Sequence, residues 1–242
     1  QWPYTLSPYD SGMVIEDTWP TLFFGAERLD EVRRKAERRP WAADAVDQMQ
    51  REAESVLREP PLLPEERIGW RHDFYSHRTA EHLLYDPRSP DRFLDPLDQT
   101  VHSSEAQRQA WVLLTHERTL RLMRSLGVLY GLTGDERYAA WVAGGMRFAT
   151  RFFPREDLRK GNRDEALYFH PLYDAQVLML LANAYSLTRE SRAYSDADHR
   201  AIRGEVFETG LASQIRFFEK TGAHNMTCYV GACLAVSGDV MG

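Results

Sequence analysis

Apolar residues recur at three- and four-residue intervals along most of the chain, which predicts a protein built almost wholly of helices. From Ala26 this spacing fits a first helix, which stops at Pro40. Because proline is tolerated in a first helical turn, Pro40 can itself open a second helix, predicted from Trp41 to about Arg58.

The rest of the chain divides into an irregular part and a helical part. Residues 1–25 are rich in Pro, Tyr, Trp and Ser and are interpreted as an extended lead-in. Between Glu65 and Ser103 the helical period is lost, and the aromatic and basic sequence RIGWRHDFYSHRTAEHLLYDP argues for an ordered, functional loop. Further helices are predicted at about 104–132, 136–153, 165–188, 197–219 and 224–238.

Three predicted helix ends resemble one another and suggest a repeated unit. They are YGLTGD at 130–135, YSLTRE at 185–190 and AVSGD at 235–239, so the motif returns at intervals of about 50 residues, one antiparallel helical hairpin per repeat. Such hairpins build either an open solenoid or a closed α/α toroid. The repeats are irregular, which favours an all-α, incomplete α/α toroid over residues 26–242.

Composition narrows the class of protein. The 242 residues are 43% hydrophobic and 27% charged, which is typical of a globular chain, and the net charge of −6 argues against a nucleic-acid partner. No apolar run is long enough to span a membrane. Cys228 and Cys233 lie five residues apart on different faces of a predicted helix, so no disulfide is expected between them.

The most suggestive pair of residues opens the last predicted helix. His224 and Asn225 precede the small, apolar sequence MTCYVGACLAVSGD, and their side chains would stand at the positive end of the helix dipole, which is suited to receiving a carboxylate. The simpler interpretation is that Asn225 or Thr221 only caps the helix and that His224 is a surface residue.

Four segments together resemble the heparinase II/III-like polysaccharide lyases and the related alginate lyases. They are WPTLFFGAERLDEVRRKAERRPWAADAVDQM, GWRHDFYSHRTAEHLLYDPRSPDRF, LGVLYGLTGDERYA and the helix that opens with HN. LTGDERYA alone is common among α/α folds, whereas all four in this order are more specific. The resemblance runs from about Trp19 to the end of the chain.

This resemblance implies β-elimination of a polysaccharide that contains uronic acid. Donors neutralise the uronate carboxylate, a base removes the C5 proton, and an acid protonates the leaving oxygen. The family's neighbouring Asn and His match Asn225 and His224, although the order here is His-Asn whereas the alginate lyases often show Asn-His.

The resemblance also implies that the chain is the N-terminal toroid portion of a longer enzyme. The family's base is a tyrosine on a later hairpin, assisted by a histidine from a β-sandwich domain, and both are expected beyond Gly242. The isolated segment is therefore expected to lack full activity. A periplasmic or secreted location, an acidic polysaccharide as partner and no cofactor complete the expectation.

Further residues are candidates for sugar binding, each with a structural alternative. In the irregular part, Trp70 can stack on a pyranose, Arg71 can pair with a carboxylate or sulfate, and His72 lies beside them; such residues equally serve to fix a loop. Tyr229, one turn from Asn225, is interpreted as a substrate or packing contact.

Two predicted helices add candidates. Glu117, next to His116, either faces a sugar site or pairs with Arg121 on the surface. His170 and Tyr173 either face a ligand cleft from a helix start or form a buried aromatic cluster.

Two functional alternatives remain at this point. A glycoside hydrolase on an α/α toroid would need two flanking carboxyl groups, for which Glu117 and Asp174 are the candidates. A non-catalytic glycan-binding helical domain needs neither. No zinc site is predicted, because the five-residue spacing of His72, His77 and His82 does not suit ligands on one helix.

Overall fold

A computed structural model describes residues 26–155, Leu158, Tyr168, 170–221 and 225–241. The predicted lead-in over residues 1–25 lies outside this description, as does the predicted start of a helix at 165. The described helices are α1 Ala26–Arg38, α2 Pro40–Val56, α3 Glu105–Thr133, α4 Glu136–Phe152, α5 Pro171–Thr188, α6 Asp196–Ala201, a π-helical segment Ile202–Glu208, α7 Thr209–Thr221 and α8 Asn225–Met241.

The all-α class predicted from the sequence is confirmed. The only strands among the described residues are β1 Phe93–Leu94 and β2 Val101–His102, which pair antiparallel. The helix predicted at 197–219 is continuous from α6 to α7, but its middle widens into the π-helical segment. Pro40 does open α2, and the preceding Arg39 is extended, as a residue before proline prefers.

Helix α3 is the centre of the fold. Most of its residues are buried, polar ones such as Thr115 and His116 included, and it packs against α1, α2, α4, α5 and the 3₁₀ turn Arg71–Asp73. Neighbouring elements therefore surround most of this helix. Ser104 begins α3 with a capping box that includes Gln107.

Helices α3 and α4 form a hairpin. Gly134 ends α3 with φ of 71°, a left-handed conformation that glycine adopts without a Cβ clash. A Cβ at Gly145 of α4 would lie 2.4 Å from Met123 Sδ of α3, so the absence of a side chain lets the two helices approach closely.

Helix α5 runs in the same direction as α3. The side chain of His116 in α3 bonds to Tyr168, just before α5 begins, and further along Gly127 of α3 approaches Leu187 near the end of α5. Helix α4 also packs against α5, and α8 packs against α5 and α7. Helices α3 and α5 are thus parallel, and α4, which lies between them in the chain, runs the opposite way as the second helix of the hairpin.

Two of the three predicted helix ends are confirmed, because α3 ends at Thr133 and α5 ends at Thr188. The end predicted at 235–239 is wrong, because α8 continues through Gly238 to Met241. Val236 and Val240 are buried in the core, and their packing maintains the helix past the glycine. At the end of α5 the capping residue is Arg189, in the right-handed region, and no left-handed glycine is involved.

The segment between α2 and α3 is irregular, as predicted, yet well bonded. Asp95 is buried and accepts hydrogen bonds from Thr79 Oγ1 and from the Leu97 backbone. Burial opposes the ionisation of Asp95, but hydrogen bonds from Ser76 and Thr79 outweigh it and lower its pKa to about 2. Side-chain hydrogen bonds thus replace regular structure here.

The two cysteines are not joined to each other, and the helices show no membrane-spanning character among the described residues. Cys228 is exposed and Cys233 is buried, and both are free thiols. Within the described residues, no helix combines the length and the apolar character that a membrane crossing requires.

Candidate functional site

Four rings from the irregular segment form a continuous surface, which we name the ring cluster: Trp70, His72, Tyr75 and His82. Ring centroids lie 5.7 Å apart between Trp70 and His72, 6.5 Å between His72 and Tyr75, and 3.7 Å between Tyr75 and His82. Trp70, His72 and His82 are exposed, and Tyr75 is half-buried. Aromatic and imidazole faces are thus presented together to solvent.

Tyr75 and His82 face each other across a tight turn. Their backbones form an antiparallel bridge, and Ser76 N donates to Glu81 O at 2.8 Å within it. The Tyr75 hydroxyl and His82 Nε2 are hydrogen bonded. Burial, together with the nearby Arg71, holds the pKa of His82 below its usual range, so the neutral imidazole is favoured at neutral pH.

The cluster is fixed to α3 by its neighbours in sequence. Gly69 N donates to Gln109 O at 2.9 Å, and a Cβ at Gly69 would lie 2.6 Å from Gln109 Cβ, so this approach requires glycine. Phe74, between the exposed rings in sequence, is 2% exposed and packs edge-on against Phe93 at 5.1 Å. Phe74 thus anchors in the core a segment whose neighbouring rings Trp70 and His72 are exposed.

Arg71 connects the cluster to a buried carboxylate. Its Nη2 donates to Glu117 Oε2 at 3.0 Å, and the side chains of Arg71 and Glu117 are 23% and 8% exposed. Burial raises the pKa of Glu117, and Arg71 and Arg121 counteract only part of this effect. Glu117 lies inside the protein and not on its surface, and Arg121 is near enough to act on its charge.

His116, next to Glu117, has a structural environment. It is 0% exposed, its Nδ1 lies 3.0 Å from Tyr168 Oη, and its Nε2 lies 2.8 Å from Pro64 O. The rings of Phe148 and Phe152 stand edge-on to it. Burial lowers the pKa of His116 to about 4, so it is neutral at physiological pH.

The remaining predicted residues lie on α5 and α8. His170 is the N-cap of α5, and its Nδ1 accepts from Leu172 N at 3.3 Å. Tyr173 is edge-on to His170 at 6.2 Å and packs against the core, as does the half-buried Tyr229. Asp174 is fully buried and accepts a hydrogen bond from Tyr168 N.

The pair at the start of α8 is not described. His224 lies outside the described residues, and Asn225 is the first residue of α8 with its side chain outside the description. Their predicted role in a shared hollow with the ring cluster stays a prediction.

The structure therefore brings together part of the predicted set. Trp70, Arg71, His72 and Glu117 are neighbours, whereas His170 and Tyr173 form a separate contact on α5. Tyr75 and His82 were missed as a pair; the turn-forming sequence SHRTAE between them was the signal. In the described part of the chain, no group of three or more His, Cys, Asp or Glu is placed to hold a metal ion.

Comparison with known proteins adds no identity. No protein-family model matches the sequence, and no curated protein gives a significant match.

Proposed function

We propose that this protein is a polysaccharide lyase that cleaves a glycan containing uronic acid by β-elimination. The observation that carries the proposal is the exposed ring cluster, with Arg71 positioned at its edge by Glu117. Aromatic faces suit pyranose rings, and a guanidinium suits the uronate carboxylate. The resemblance of four sequence segments to heparinase II/III-like lyases supports β-elimination as the reaction.

We also propose that the helical hairpins belong to an α/α toroid. The shared direction of α3 and α5, with α4 returning between them, supports this arrangement, because the inner helices of a toroid run alike. In this proposal the partly exposed face of α3 and the ring cluster line the substrate side.

His224 and Asn225 are proposed to neutralise the substrate carboxylate. Removing the C5 proton places negative charge next to a group that is already anionic, so donors that strengthen their hydrogen bonds in the transition state lower the barrier. A base takes the C5 proton, and an acid protonates the departing glycosidic oxygen. We propose that a tyrosine beyond Gly242 serves as the base, assisted by a β-rich domain.

A hydrolase has less support from the described carboxyl groups. Glu117 is paired with Arg71 inside the protein, and Asp174 is fully buried and accepts a hydrogen bond from Tyr168 N. A hydrolase needs two carboxyl groups that reach either side of the same glycosidic bond. A non-catalytic glycan-binding domain would use the same ring cluster. It differs from a lyase in that it binds the polymer without cleaving it.

The test is product analysis with uronate polymers, using the natural full-length gene product. A lyase forms an unsaturated uronate, which is seen as a new near-ultraviolet absorbance band. The double variant His224→Ala/Asn225→Ala should lose about 100- to 1000-fold in kcat while keeping most of its affinity for oligosaccharide. Reducing ends without the absorbance band would identify a hydrolase, and binding without cleavage would identify a binding domain.

A further inference from the structure

The buried stretch of helix α3 is interrupted by a partly exposed, mostly basic patch, which we name the basic opening. Every residue from Ala110 to Leu129 is buried except four, and three of these four are arginines: Arg118, Arg121, Leu122 and Arg124. A long, flexible cation is costly to order beside a core, so three arginines within this stretch are an unusual composition.

The charge of Arg124, one member of this opening, is poorly compensated within the described residues. Its Nε is buried and forms no hydrogen bond, and no carboxylate of the described residues forms an ion pair with its guanidinium. Other arginines are satisfied in pairs: Arg108 donates to both oxygens of Glu66, and Arg147 donates to both oxygens of Asp198.

The position is also electrostatically unfavourable. Burial lowers the pKa of Arg124, and the like charge of Arg121 adds to the effect. The two residues are three apart on one helix, which places their side chains side by side. A guanidinium stays charged in proteins, so it must tolerate this environment. The Arg124 guanidinium is held in this unfavourable position without a carboxylate partner in the described part of the chain, which suggests that it binds an anionic ligand.

The basic opening lies on the same side of α3 as the residue that holds the edge of the ring cluster. Arg124 is two helical turns from Glu117 on the same face of α3, which corresponds to about 10 Å along the axis. Glu117 holds Arg71, and Arg71 lies beside Trp70 in sequence and at the edge of the ring cluster. A chain-like ligand could therefore contact the rings and Arg124 at once.

We propose that Arg124 is an anion subsite that binds a carboxylate or sulfate group of the glycan chain, about 10 Å along α3 from the Arg71–Glu117 pair. That the ligand is a glycan rests on the proposed function. The planar guanidinium fits either group with two parallel hydrogen bonds, which would satisfy the buried Nε.

The first test is calorimetric binding of two oligosaccharides to the full chain, an unsulfated hexuronate oligomer and a sulfated one. Arg124→Gln should raise the Kd about tenfold, which corresponds to about 1.4 kcal/mol. Arg124→Lys keeps the charge but not the two-pronged geometry, so it should recover only part of the affinity. The oligomer that loses more affinity identifies the group bound.

The matched control is Arg192→Gln, which removes the same charge from a side chain that is 85% exposed. It should leave the Kd unchanged, because a distant exposed charge is screened by salt. Equal weakening by Arg192→Gln and Arg124→Gln would mean a general charge effect and would overturn the subsite.

Thermal unfolding without ligand provides the second readout. Since Arg124 is unpaired among the described residues and adjacent to a like charge, Arg124→Gln should leave Tm unchanged or raise it. A fall of several degrees would show that an acidic group of the protein itself pairs with Arg124, and that outcome overturns the proposal.

The subsite and the lyase can fail separately. A loss of affinity in Arg124→Gln, with no unsaturated product from the natural protein, would support the subsite and contradict the lyase. If the wild-type chain binds neither oligomer, or if Arg124→Gln binds both as the wild type does, the subsite is wrong whatever the cleavage assay shows.

Discussion

Two adjacent residues on α3 show how position changes the role of a polar side chain. His116 is enclosed by aromatic rings and bonded to Tyr168 and Pro64, whereas Glu117 turns toward Arg71 and the ring cluster. The sequence placed both in the middle of a helix but could not assign their directions. Their partners come from segments 46 and 52 residues distant, which no helical periodicity encodes.

The buried His116 predicts a contribution to acid sensitivity. Its pKa is about 4 in the folded protein against 6.5 for an ordinary histidine, so the unfolded chain takes up the proton first. The free energy of unfolding is therefore unaffected by the protonation of His116 above about pH 6.5. It falls as the pH drops from there toward 4, by about 3 kcal/mol in total. Denaturant unfolding of wild type and His116→Gln at pH 7 and pH 4 measures it.

In His116→Gln the side chain cannot take up a proton, so the fall in unfolding free energy between the two pH values should be about 3 kcal/mol smaller. An unchanged fall would show that other groups dominate acid unfolding.

At the scale of elements, the conformation of the irregular segment between α2 and α3 depends on how closely it packs against α3. The aromatic content predicted an ordered loop, and its hydrogen bonds agree with that. The pairing of Tyr75 with His82 was beyond sequence reasoning, because it depends on a turn held by Ser76, Thr79 and the distant Asp95.

Gly69→Ala tests this fit. The added Cβ would lie 2.6 Å from Gln109 Cβ, so the segment must shift away from α3 and carry Trp70 and Arg71 with it. Oligosaccharide affinity should fall several-fold while helical circular dichroism stays the same. Gly144→Ala is the control, since its Cβ would meet only Pro61 at 3.5 Å, an ordinary contact. Unchanged oligosaccharide affinity in Gly69→Ala would show that the position of this segment does not affect binding.

Two glycines test the corrected end of α8. Gly238 lies inside the helix with open space around a Cβ, so Gly238→Ala should stabilise the protein by about 1 kcal/mol. Gly134 has φ of 71°, so Gly134→Ala should destabilise it by about 1 kcal/mol. Urea unfolding of both variants gives the signs. Destabilisation by both would mean that a helix ends at Gly238 as well.

At the scale of the whole molecule, hydrophobic periodicity predicted the class and most helix bounds. The helix from Glu105 to Thr133 was expected at about 104–132, and the one from Glu136 to Phe152 at 136–153. These succeed because capping and turn residues such as Ser104 and Gly134 act locally. The π-helical widening and the continuation through Gly238 depend on packing between helices, which local sequence does not report.

The ring cluster is the surface that we propose binds an acidic glycan. The most direct test is calorimetric titration of the protein with an unsulfated hexuronate oligosaccharide, comparing Trp70→Ala with Trp41→Ala. Both tryptophans are exposed, at 44% and 67%, but only Trp70 belongs to the cluster. We predict that Trp70→Ala weakens binding about tenfold or more and that Trp41→Ala binds as the wild type does. Equal affinity in all three proteins would contradict the account.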